Sequence, residues 1–158
     1  MTILGTAMGA VIALGSTLVN DRIKWRREQS LQKRKMLQEV YSEYLTALTE
    51  AHETMRAAVT AHGTAEERRG PVLDAFRASG AYTLRYRLAI VAGQDVLDAA
   101  EEAFRQLRGG RDLLADGNGL DSRQYKEFRT TYGGTMRELQ QRIRQELRED
   151  AVSFTGGS

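Results

Sequence analysis

Apolar positions along this chain fall into two regimes. From Ile3 to Val19 they run together with no charged residue between them, and from Leu37 onward they recur every three or four residues. In the second regime Leu37, Tyr41, Tyr44, Leu48, Ala51, Met55 and Ala58 alternate spacings of four and three. That spacing puts them on one face of a helix, and predicts a first bundle helix reaching about His62, where Gly63 is a natural stop. A second helix is predicted from Pro71 to about Ala92, with Leu73, Phe76, Gly80, Leu84, Leu88 and Val91 inward and Gly93 as its end. A third begins near Asp95, which can cap its own helix, and carries Leu97, Ala100, Phe104, Leu107 and Leu114. Asp116-Gly117-Asn118-Gly119 is the clearest turn in the chain. A fourth helix starts at Asp121-Ser122, with Gln124 placed as in a capping box, and carries Tyr125, Phe128, Tyr132, Met136, Leu139, Ile143 and Leu147 to about Asp150. No period-two strand pattern appears.

The fold class expected is therefore all-α: an antiparallel four-helix bundle over residues 36–150, followed by a flexible tail at 151–158. Helices joined by the tight turn at Asn118 and Gly119 pair antiparallel, which sets Phe128 opposite Gly109 and Phe104 opposite Gly133. Each helix then offers a Gly-Gly pair where the other offers a phenylalanine. Mid-helix glycines cost about 1 kcal/mol each relative to alanine, and an inserted ring compensates by packing.

The first regime reads differently. Seventeen residues at about 1.5 Å each give roughly 25 Å, close to a bilayer hydrocarbon core of about 30 Å. Thr2 and Asn20 extend the span, so residues 1–20 are expected to form a transmembrane anchor. Residues 21–35 then carry seven basic and two acidic side chains, a local +5 in a chain whose total is +2. This one-sided basic juxtamembrane segment sets an orientation with the N-terminus outside and the bundle in the cytoplasm. Arg22, Lys24, Trp25, Arg26 and Arg27 are the expected membrane-interface residues, and the cations can contact anionic lipids. Gly5, Gly9 and Ala13, with Thr17 next in register, form a small-residue stripe suited to self-association of two spans. No Gly or Pro interrupts the stretch from Val19 to His62, so the anchor and the first bundle helix can be one continuous helix. A cleaved signal peptide would carry its positive charge before the apolar run, whereas here the charge follows it. A buried or self-associating soluble helix is the other alternative, although a core helix is normally amphipathic.

Chemistry-bearing motifs are sparse. The absence of cysteine excludes disulfides, thiolate nucleophiles and Cys-based metal sites. His52 and His62 lie nearly three turns apart and cannot share a metal; they read as one exposed imidazole and one at a helix end. His52-Glu53 starts like a zinc-protease motif, but Arg56 stands where the second histidine belongs. The di-iron bundle motif needs a glutamate three residues before each histidine, and neither has one. The Gly-Gly pairs follow no strand and precede no Lys-Ser/Thr, so they are not phosphate loops. The carboxylates sit among arginines at helix-surface spacing, a solvated charged face. Arg85 and Arg87 flank Tyr86 inside an apolar stretch, so one of them lies at the core boundary and needs an acidic partner. Basic charge is concentrated beside the apolar run rather than spread across a surface, which argues against a nucleic-acid binder.

Arg outnumbers Lys nineteen to four, and Ala and Gly are frequent. In this composition and in its layout of one N-terminal anchor plus helices, the chain resembles small actinobacterial single-pass membrane proteins with a helical cytoplasmic domain. The resemblance brings no active-site residues with it. The function expected is a membrane-tethered helical scaffold or adaptor, self-associating, without cofactor or catalytic activity, acting on a protein partner. The alternatives are a holin-like membrane effector whose anchors oligomerise and permeabilise the bilayer, and a soluble assembly of bundled apolar helices.

Overall fold

The structure is a computed structural model that describes the backbone of residues 5–153 and the side chains of Trp25 and of residues 28–149. The described residues form five helices: α1 (Gly5–Ala61), α2 (Ala65–Ala78), α3 (Ala81–Val91), α4 (Gln94–Ala115) and α5 (Arg123–Ser153). No strand occurs among them. The chain divides into two compact units, Met1–Met36 and Leu37–Ser158. No helix among the described residues is long and apolar enough to cross a membrane. The side chains of the run Ile3–Val19, on which the expected anchor rests, lie outside the described residues.

The second unit is a bundle running up, down, up, down, with its second position filled by two short helices, α2 and α3. Its core draws on every one of them. Leu37, Tyr41, Tyr44, Leu48, Ala51 and Met55 of α1 are buried, as are Val72 and Phe76 of α2, Leu88 of α3, Phe104 and Leu107 of α4, and Tyr125 and Leu139 of α5. Each leucine, valine, phenylalanine or methionine among them contributes about 1.5–3 kcal/mol by leaving water. The predicted seam of α1 is thus buried against the chain's own helices.

Polar pairs fix how the helices register. Three tyrosines insert from one helix and find acceptors on another. Tyr44 donates to the Ala100 carbonyl of α4 at 3.2 Å, Tyr132 donates to the Leu48 carbonyl of α1 at 3.1 Å, and Tyr41 donates to Glu146 Oε1 of α5 at 2.7 Å. A buried hydroxyl without a partner would cost about 1–3 kcal/mol, so each pair specifies one alignment. Glu146 also accepts the backbone N–H of Gly93 at 3.1 and 3.2 Å. One carboxylate therefore ties α1 and α5 to the N-terminal end of α4, where a negative charge suits the helix dipole.

Several local expectations need correction. The second helix is not continuous from Pro71 to Ala92. Gly80 adopts φ +71°, a left-handed conformation that glycine reaches without strain, and it separates α2 from α3. Ser79 stitches the break, its hydroxyl donating to the Phe76 carbonyl and accepting the Ala81 N–H. α2 starts earlier than Pro71 because Thr64 and Glu67 form a reciprocal capping box, leaving Pro71 inside the helix. The cap of α4 is Gly93, served by Glu146 rather than by Asp95. At α5, Ser122 Oγ accepts the Tyr125 N–H, so the capping oxygen belongs to Ser122 and not Asp121.

The glycine and phenylalanine pairing holds on one side, shifted by a residue. A Cβ on Gly110 would overlap the Phe128 ring, while one on Gly109 would meet nothing within 4 Å. Phe104 instead joins Phe76 and Tyr82, with ring centroids 5.9 and 5.0 Å away, and Gly133 has only Arg137 Nη1 nearby. The two neighbouring glycines should therefore respond oppositely. Gly110→Ala is expected to destabilise by about 1–3 kcal/mol through overpacking. Gly109→Ala is expected to stabilise by about 0.5–1 kcal/mol through helix propensity alone. Urea midpoints of the two variants measure this, and a shared sign would contradict the packing described.

Candidate functional site

The expected membrane-interface residues have one member whose side chain is described. Trp25 is 62% exposed on α1, and Arg22, Lys24, Arg26 and Arg27 lie outside the residues with described side chains. The same holds for Gly5, Gly9 and Ala13 of the expected self-association stripe. Downstream of Trp25, the α1 side chains from Leu31 to Met36 are all exposed, including Lys33, Arg34 and Lys35, and Leu31 is 66% exposed. The buried seam of α1 begins only at Leu37. The sequence explains this abrupt start: stepping back from Leu37 by three and then by a further four gives Arg34 and Ser30, which cannot extend an apolar seam.

His52 is not the exposed imidazole expected. It packs among Tyr125, Phe128 and Tyr132 of α5, with ring centroids 6.4, 5.8 and 5.3 Å away. A 3.0 Å hydrogen bond joins its Nε2 to the Tyr125 hydroxyl, and Nδ1 lies 3.7 Å from Glu53 Oε1. Burial lowers its pKa below the ordinary histidine value; Glu53 opposes that shift, while Arg56 and Arg129 add to it. Burial likewise raises the pKa of Tyr125. His62 ends α1 as expected, with Nδ1 2.8 Å from the Ala58 carbonyl. No group of His, Asp and Glu able to hold a metal ion occurs among the described residues.

The arginines flagged in the apolar stretch both have carboxylate partners. Arg85 pairs with Glu101 of α4 at 2.7 Å and lies 5.2 Å over the Phe104 ring, and Arg87 pairs with Glu43 of α1 at 2.5 Å. These pairs dock α3 between two neighbours. What the sequence reading missed is the outer face of that helix. Tyr82, Tyr86 and Ile90, spaced by four, form a ridge in which Tyr86 is 67% and Ile90 83% exposed. The signal was available in the sequence: an 11-residue helix with apolar residues on both faces must leave one of them in water. A groove on the α1 side of this helix is lined by Glu43 and Glu50, and one on the α4 side by Asp98 and Glu101.

Comparison with protein-family models, curated proteins and solved structures gives no match.

The geometry at His52 generates a pH prediction. Its folded pKa lies below the unfolded value of 6.5, so the unfolded chain takes up the proton first as pH falls. Stability from this site is full above the unfolded value and is lost as pH drops from there toward the folded one. The urea midpoint should fall between about pH 7.5 and about pH 5, and part of that fall should vanish in His52→Gln. An identical fall in both proteins would show that His52 titrates freely.

Proposed function

We propose that this protein is a membrane-tethered helical scaffold or adaptor that self-associates at the cytoplasmic face of the cell membrane. The observation that carries the reading is the one-sided arrangement of an uncharged apolar run, Ile3–Val19, followed at once by the basic segment 21–35. Trp25, exposed on α1, has the amphipathic ring suited to the headgroup level beside those cations. The bundle that follows is held by packing, inter-helix tyrosine hydrogen bonds and ion pairs, which suits a rigid binding module.

Self-association in this reading runs through the Gly5, Gly9 and Ala13 stripe, where small residues let two backbones approach in lipid. It does not continue along the heptad from Leu37 to Ala58. Those positions are buried in the chain's own bundle, apart from the partly buried Ala58, and offer nothing for a second copy to cover.

The full-length protein is expected to pellet with membranes, to resist alkaline carbonate and to require detergent for release. A reporter fused after Ser158 should be active only in the cytoplasm. Replacing Gly5 and Gly9 with Ile should reduce crosslinked oligomers without reducing membrane insertion. Recovery of the full-length chain in the soluble fraction would overturn the tether, and a reporter active outside the cell would overturn the orientation.

A further inference from the structure

α3 is lightly held for a helix inside a bundle. Only Ala81, at its start, and Leu88 are buried, with Leu84 and Val91 partly so. Tyr86 and Ile90 already stand in water, so they contribute nothing to keeping the helix in place. α2, of similar length, buries Val72 and Phe76 and is closed by the Thr64–Glu67 capping box, whereas α3 starts on Gly80 with no side-chain cap.

The two ends of α3 are fixed by groups outside it. Ser79 holds the Ala81 N–H at one end, and Glu146 holds the Gly93 N–H just past the other. Between them the helix is pinned on one flank by the Arg87 pair with Glu43 of α1, on the other by the Arg85 pair with Glu101 of α4, and from below by Leu88. The four side chains of these pairs are 35–52% exposed, so dissolved salt screens both. We infer that α3 is a strap that opens as a unit between Gly80 and Ala92 while α1, α4 and α5 keep their packing, with the two ion pairs as its salt-sensitive latch. Gly80 at φ +71° and Ala92 in an extended conformation interrupt the helix at both ends, so opening does not propagate into α2 or α4. The strap covers one side of Phe104, over which Tyr82 packs at 5.0 Å and Arg85 at 5.2 Å. Opening therefore bares an apolar face of α4, and the latch makes that exposure respond to ionic strength. The inference rests on the bundle alone and is independent of the membrane tether.

Amide hydrogen exchange of the full-length protein in a non-ionic detergent tests it, comparing residues 84–91 of α3 with residues 132–143 of α5. The α3 amides are expected to exchange faster than those of α5, and with little dependence on low urea, because a local opening exposes little surface. Raising sodium chloride from about 0.05 M to about 0.5 M should speed α3 exchange about threefold and leave α5 unchanged. Glu43→Gln with Glu101→Gln, both at exposed positions, should speed α3 exchange about three- to tenfold at the lower salt and remove most of the salt effect. Arg87→Glu should act in the same direction, and adding Glu43→Arg to it should restore protection, which a loss of packing alone would not allow. Equal exchange and equal urea dependence in α3 and α5 overturn the separate opening. Exchange of α3 that ignores both salt and the double glutamate variant overturns the latch, and failure of the swapped pair to restore protection removes Arg87–Glu43 from it.

Discussion

An apolar helix face can be buried only once, and in this protein the face of α1 from Leu37 to Val59 is buried within its own chain. Everything else in the bundle is arranged around that choice. α5 runs antiparallel to α1, so Tyr41 meets Glu146 near one end while His52 meets Tyr125 near the other. α4 runs parallel to α1, with Tyr44 reaching across to Ala100. The α2–α3 pair closes the remaining side through Val72, Phe76 and Leu88. A heptad of this length would also serve a coiled coil between copies, and sequence periodicity alone does not separate the two uses. Burial does.

Tyrosine supplies several of the largest side chains in the core. Tyr41, Tyr44 and Tyr125 are among its largest fully buried side chains, and Tyr132 is buried beside them. Burial raises the pKa of Tyr44 and Tyr132, so both stay neutral donors across the physiological range. Their acceptors are backbone carbonyls on other helices, which makes the hydrogen bonds a register device as well as a stabilising one. An aliphatic core of equal volume would slide more easily, because apolar contacts are non-directional.

Helix content, the antiparallel order and most core positions were legible in the sequence because they follow from periodicity and from the Gly-Asn-Gly turn. The break at Gly80 was not, since an inward-facing glycine at helical spacing looks the same whether it bends the chain or fills a notch. Capping by Glu146 was hidden for a different reason: its partner Gly93 lies 53 positions away, and no local pattern reports a cap supplied from another helix. His52 was misplaced because it lies beside the apolar stripe, at a position where only the aromatic crowd on α5 decides burial. Of the candidate interaction residues, the basic segment was visible as composition. The α3 ridge required knowing which of that short helix's two apolar faces the core had used.

In the proposed function, tethering and self-association fall to residues 1–35, the apolar run and the basic segment, and not to the bundle. The bundle itself is required to be complete without a partner. Sedimentation equilibrium on a chain running from Leu37 to Asp150 tests that most directly. The account predicts a helical monomer whose thermal midpoint does not change with protein concentration. A dimer whose midpoint rises with concentration would show that the α1 seam is shared between copies, and would contradict the account at its centre.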